Sequence, residues 1–155
     1  MMRKHILVVD DDSALRSLLR VRLESTGHTV DTAENGWGGL TKLEHADYDV
    51  VLLDYMMPGI TGLMVLQHIQ ERHPSVPVVM ITGHTSSQVA AQALAVGTRA
   101  CLVKPVDRGV GPGPAVLCRN GCVRAVVSCT TKLNRGQRDT RRTDGHPFRK
   151  PLASR

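Results

Sequence analysis

The stretch "VVLLDYMMPG" (50–59) limits most tightly what this chain can fold into. Consecutive valines and leucines without alternation suit a strand covered on both faces, as in a parallel sheet. An unpaired carboxylate at the end of such a strand is costly. Asp54 therefore needs either water and a turn to cap, or a cationic neighbour. Similar apolar runs recur through the first 105 residues, each followed by helical spacing, which is the rhythm of βα units around a parallel sheet.

"HILVV" (5–9), "HTVDTA" (28–33), "DVVLL" (49–53), "VPVVMIT" (76–82) and "ACLVK" (100–104) read as five strands. Between them, Ser13 is placed to cap a helix in which Leu15, Leu18, Leu19 and Leu23 share a face, stopped by Gly27. Residues 34–46 form a second helix, diluted by Gly36, Gly38 and Gly39. Residues 62–73 form a third, opened by Gly62 and ended by Pro74, and residues 86–97 an alanine-rich fourth. After Pro105 the pattern stops. "DRGVGPGPAV" carries glycines and prolines where a fifth helix is expected, and from Thr130 the composition reads as disordered.

The formal charge of +6 conceals a division. Residues 1–107 hold nine Lys/Arg against twelve Asp/Glu, a net of −3, while residues 108–155 hold eleven against two, a net of +9. A pI near 9.5 thus reflects the tail, not the βα region. No apolar run approaches the length of a signal h-region or a membrane span, which points to a soluble, cytoplasmic protein.

In an open parallel sheet, ligands gather outside the carboxyl ends of the strands. Strand one here ends in Asp10, Asp11 and Asp12, strand three in Asp54, strand four in Thr82 and strand five in Lys104. Clustered carboxylates raise one another's pKa, and a hard cation such as Mg²⁺ with oxygen ligands removes that repulsion. Lys104 and Thr82 supply a charge and a hydroxyl for phosphate oxygens, and an Asp54 carboxylate can become an aspartyl phosphate. Singly, each residue has a plainer explanation as cap, turn or strand end. Together, in this order, they make a site.

With these residues in view, "ILVVDDD", "LLDYMMPGITGLMVL", "VVMITGH" and "CLVKPV" resemble the receiver domain of two-component response regulators over residues 4–107. The resemblance implies a doubly wound α/β fold with a five-stranded parallel sheet of order 2-1-3-4-5, as in CheY. It implies a signalling module rather than an enzyme, with Asp54 accepting a phosphoryl group from a sensor histidine kinase or a histidine phosphotransfer protein. By the same resemblance Asp10, Asp11, Asp54 and the backbone carbonyl of Met56 hold Mg²⁺, and Thr82 and Lys104 contact the phosphoryl oxygens. Asp12 matches no fixed role. Cys101 stands where the family usually has a switching tyrosine or phenylalanine, and Val106 replaces a common phenylalanine. Met56 and His84 occupy positions that tune phosphorylation and hydrolysis rates.

Residues 108–155 match no output domain. Cys118, Cys122, Cys129 and His146 lack zinc-site spacing, so free thiols are expected. The change near Asp107 resembles the product of a shifted reading frame, and loss of a fifth helix would damage the face of the fourth helix, fifth strand and fifth helix through which receivers dimerise. Two other functions fit parts of the chain. A haloacid-dehalogenase-type phosphatase would use Asp10 as nucleophile, but Ala14 departs from its motif and Asp54 would have no task. A nucleic-acid-binding regulator would act through the basic tail, which lacks stacking aromatics. The membrane has no evident role.

Overall fold

A computed structural model describes residues 3–83 and 87–104. In chain order the elements are β1 (His5–Val9), α1 (Ser13–Ser25), β2 (Thr29–Ala33), α2 (Gly36–His45), β3 (Val50–Asp54), α3 (Gly62–Arg72), β4 (Val78–Thr82), α4 (Ser87–Val96) and β5 (Ala100–Val103). The strands form one sheet of order β2-β1-β3-β4-β5, every pair parallel. This is the doubly wound arrangement expected from the sequence. The expectations for His84 and for residues 105–155, including the missing fifth helix and the basic tail, lie outside the described residues.

Why the strands read as unbroken apolar runs follows from the two layers they separate. Alternate side chains of a strand point to opposite faces. Leu7, Val9, Val51, Leu53, Val78 and Met80 pack under Leu43 of α2, Val65, Leu66 and Ile69 of α3, and Ala93 of α4. Ile6, Val8, Val50, Leu52, Val79, Ile81 and Leu102 form the other layer, with Leu19 and Leu23 of α1. Both faces of β1, β3 and β4 are buried, so neither parity is polar short of the strand ends, whereas the edge strand β2 carries Thr29, Asp31 and Thr32.

Two local readings need correction. Ser13 is the first residue of α1 and not its cap; Asp12 caps, its carboxylate accepting from the Ala14 and Leu15 amides at 2.9 and 3.2 Å. The carboxylate one residue earlier reaches the free amides of the first turn, which leaves Ser13 inside the helix. The second helix starts two residues later than its composition suggests, capped by Asn35. Its glycines are contact points rather than dilution. A Cβ on Gly36 would lie 2.5 Å from both Ile60 and Val65, and one on Gly39 would lie 2.8 Å from Val9. α2 thus sits against the sheet and α3 at a distance only glycine allows.

Candidate functional site

Register brings the polar strand ends together. Val9 pairs with Leu53, Asp54 with Ile81, and Thr82 with Val103. Asp10, Asp54 and Lys104 continue the alternate series Ile6–Val8, Val50–Leu52 and Ala100–Leu102, so all three leave the sheet on the side of α1. Thr82 continues the opposite series, and so does Cys101.

Asp10 and Asp54 are buried, at 1 % and 2 % exposure, and Asp11 is exposed. The Lys104 ammonium lies 3.0 Å from Asp10 Oδ2 and 3.1 Å from Asp54 Oδ1, bridging the two buried carboxylates. Asp10, Asp11 and Asp54 each offer one oxygen, all within 4.8 Å of one another. Thr82 is 1 % exposed, and its main-chain carbonyl accepts from the Lys104 amide at 2.7 Å, which fixes where the lysine leaves β5. Met56 is exposed, in the loop after Asp54. Cys101 is a buried free thiol beside Met80, and burial pushes its pKa up.

The main chain around Asp54 is clamped. The Tyr55 amide donates to Ile81 at 2.8 Å, and the Gly62 amide donates to Tyr55 at 2.9 Å. A Cβ on Gly62 would collide with the Asp54 carbonyl oxygen and lie 2.8 Å from Tyr55 Cα, so the start of α3 presses directly on the end of β3. On the β1 side, the Asp10 amide donates to Ala33 at 3.2 Å, and Asp10 Oδ1 accepts from the Asp12 amide at 2.9 Å.

These neighbours set the charge states. Burial and the adjacent Asp10 carboxylate push Asp54 from 3.8 up to about 6, against the opposing pull of Lys104. Burial would lower Lys104, but its hydrogen bonds to Asp10 and Asp54 outweigh that and hold it above its ordinary value. A divalent cation fits this donor set. The ligands are hard oxygens and their excess is negative. Among the described residues Asp10 Oδ2 is buried with no hydrogen bond in good geometry, the Lys104 charge lying beside it.

Sequence reasoning missed two features. Arg16 of α1 donates to the Asp10 carbonyl at 2.6 Å. Its helical position, facing back toward the acidic loop, was the available signal. At the opposite end of the sheet, Asp31 accepts from the Tyr48 hydroxyl at 2.8 Å and faces the His5 ring at 2.9 Å, joining β1, β2 and the segment before β3. Burial would raise Asp31, but the bonds from Tyr48 and His5 hold it below the usual range, while burial and Asp31 push Tyr48 up. Nothing in the local spacing of His5, Asp31 and Tyr48 announces that contact.

A doubly wound parallel sheet with three carboxylates, a hydroxyl and a lysine at its carboxyl edge defines a class of α/β domain with an acidic pocket at one sheet edge. Residues 6–110 match the family described as the response regulator receiver domain, and the chain belongs to that family, a signalling module of two-component systems. Over 100 residues it is 41 % identical to the transcriptional regulatory protein ResD of Bacillus subtilis, a match spanning 64 % of this chain and 41 % of ResD. The chain therefore spans less than half of that relative. The chemotaxis protein CheY4 of Vibrio cholerae shares the fold with a TM-score of 0.64 and 31 % identity, over 67 % of this chain and 88 % of CheY4. The response regulator TrrA of Thermotoga maritima, solved in complex with Mg²⁺-BeF, gives a TM-score of 0.59 and 37 % identity, over 65 % and 86 % of the two chains. Among the described residues, no helix is long and apolar enough to cross a membrane.

Proposed function

We propose that this chain is a Mg²⁺-dependent phosphoacceptor switch, in which Asp54 takes a phosphoryl group from the phosphohistidine of a sensor histidine kinase or a histidine phosphotransfer protein. The observation that carries this reading is the convergence of Asp10, Asp11 and Asp54 within 4.8 Å, with Lys104 bridging two of them. Membership of the receiver family favours it over a dehalogenase-type phosphatase, and the relative solved with Mg²⁺-BeF supports the choice of metal.

Asp10, Asp11, Asp54 and the Met56 carbonyl would hold Mg²⁺, which when bound offsets the carboxylate repulsion and the phosphoryl charge. An Asp54 carboxylate oxygen attacks phosphorus. A P–O bond forms, the P–N bond to the donor imidazole breaks, and its electron pair stays on nitrogen. Lys104, already beside Asp54, holds a phosphoryl oxygen by charge, and the Thr82 hydroxyl donates to another. With a pKa of about 6 Asp54 is mostly ionised at neutral pH, and cationic partners favour that carboxylate form further.

The acyl phosphate then favours a second arrangement of the loops after β3, β4 and β5, by no more than its differential interaction with the two states. Met56 and His84 tune the rates of phosphorylation and hydrolysis, and a thiol at Cys101 in place of a ring removes any aromatic rotation coupled to Thr82. The protein acts in the cytoplasm, and where a fifth helix completes it, the face of the fourth helix, fifth strand and fifth helix is its route to a homodimer. Incubation with acetyl phosphate tests the reading. One phosphoryl adduct by intact mass is expected with Mg²⁺, and none with a chelator. An adduct indifferent to Mg²⁺ overturns it.

A further inference from the structure

We propose that Arg16 is a positioning residue for the acidic pocket, holding the Asp10–Asp11 peptide in the orientation from which both carboxylates meet the metal. This rests on the reading of Asp10 and Asp11 as Mg²⁺ ligands. The pairing of β1 with both neighbours ends at Val9, so the Asp10 carbonyl falls outside the ladder and needs a donor from elsewhere. Arg16 supplies it at 2.6 Å, a charge-assisted bond from a partly buried guanidinium. The reach follows from helix geometry. Arg16 is the fourth residue of α1, its amide bonded to the Asp12 carbonyl, and helical side chains lean toward the N-terminus.

The consequence lies in the peptide plane. The Asp10 carbonyl and the Asp11 amide belong to one rigid unit, so a grip on the oxygen fixes the direction in which Asp11 leaves. Asp10 is fixed besides by its amide bond to Ala33 and by its carboxylate bond to the Asp12 amide. Asp11 is exposed, and the plane set by Arg16 is what aims it. Partners that orient metal ligands from behind affect affinity strongly although they never touch the ion.

Positioning and simple charge predict opposite signs. A guanidinium acting only as a nearby cation repels Mg²⁺, so its removal tightens binding. A guanidinium that aims Asp11 weakens binding when removed. Calorimetric titration of the full chain with MgCl₂ separates these, using Arg16→Gln, Arg16→Lys and, as a matched charge loss on the same helix, Arg20→Gln. Arg16→Gln is expected to weaken Mg²⁺ binding about tenfold. Arg16→Lys, which keeps the charge but loses the planar fork, is expected to weaken it less, and Arg20→Gln to leave it unchanged. The phosphorylation rate of Arg16→Gln should return to the wild-type value at saturating Mg²⁺. Should Arg16→Gln fail to fold, the Lys variant alone decides: wild-type affinity overturns the proposal, and weaker affinity supports it. Unchanged or tighter binding in Arg16→Gln, with wild type binding normally, overturns the assignment of Arg16 and leaves the site reading intact. A wild-type chain that binds no Mg²⁺ overturns both.

Discussion

Asp54 is a carboxylate kept where ionisation is unfavourable. Its folded pKa of about 6 lies above the ordinary 3.8, so the folded state binds a proton more tightly than the unfolded chain. In the metal-free protein the resulting penalty is fully present above pH 6 and disappears as pH falls toward 4. Asp54→Asn removes it. That variant is expected to be more stable than wild type by roughly 1–3 kcal/mol at pH 7.5, with no gain left at pH 4, as read by urea unfolding at both values. An equal gain over wild type at the two pH values would contradict the assignment. Lys104→Met removes the charge that opposes this shift, so Asp54 should then titrate above 6, which carboxyl ¹³C NMR reads directly. At this scale the site was legible because Asp54 and Lys104 break apolar strands, whereas the contact from Arg16 to Asp10 carries no such mark.

Elements hold these side chains in place through contacts that only backbone geometry explains. Gly62→Ala puts a methyl group against the Asp54 carbonyl, where the nearest atoms belong to backbone and cannot swing aside. The variant should lose about 1–3 kcal/mol of stability and displace the end of β3, seen as a lower urea midpoint and weaker Mg²⁺ binding. Loss of stability with wild-type Mg²⁺ affinity would separate the packing role from the site. Asp12→Ala removes the α1 cap and should cost about 1 kcal/mol, while Asp12→Asn retains most of it. Tyr48→Phe removes one of the two bonds to Asp31 and should cost about 1 kcal/mol. Strands and helices were legible from their apolar periods, yet their ends were not. Asp12 and Ser13 are both good caps in sequence, and only the position of the first free amide chooses between them.

For the whole molecule, parity along the strands explains why the ends of β1, β3 and β5 meet. Because Asp10, Asp54 and Lys104 share the parity of the α1 face, a parallel sheet of this order brings two acids and a base together without a dedicated loop. That logic was readable from the strand ends. The network of His5, Asp31 and Tyr48 was not, since it depends on β2 lying beside β1 and on the segment that leads into β3. Net charge was the least informative quantity, because a value of +6 sums an acidic βα region and a basic tail.

The most direct test of the phosphoacceptor reading is to locate the phosphoryl group. After incubation with acetyl phosphate and Mg²⁺, borohydride reduction converts an acyl-phosphorylated aspartate to homoserine, which peptide mass spectrometry assigns to one residue. Homoserine at position 54 alone, absent from Asp54→Asn, is the predicted result. Homoserine at position 10, or its persistence in the variant, would contradict it and return Asp10 to the role of nucleophile.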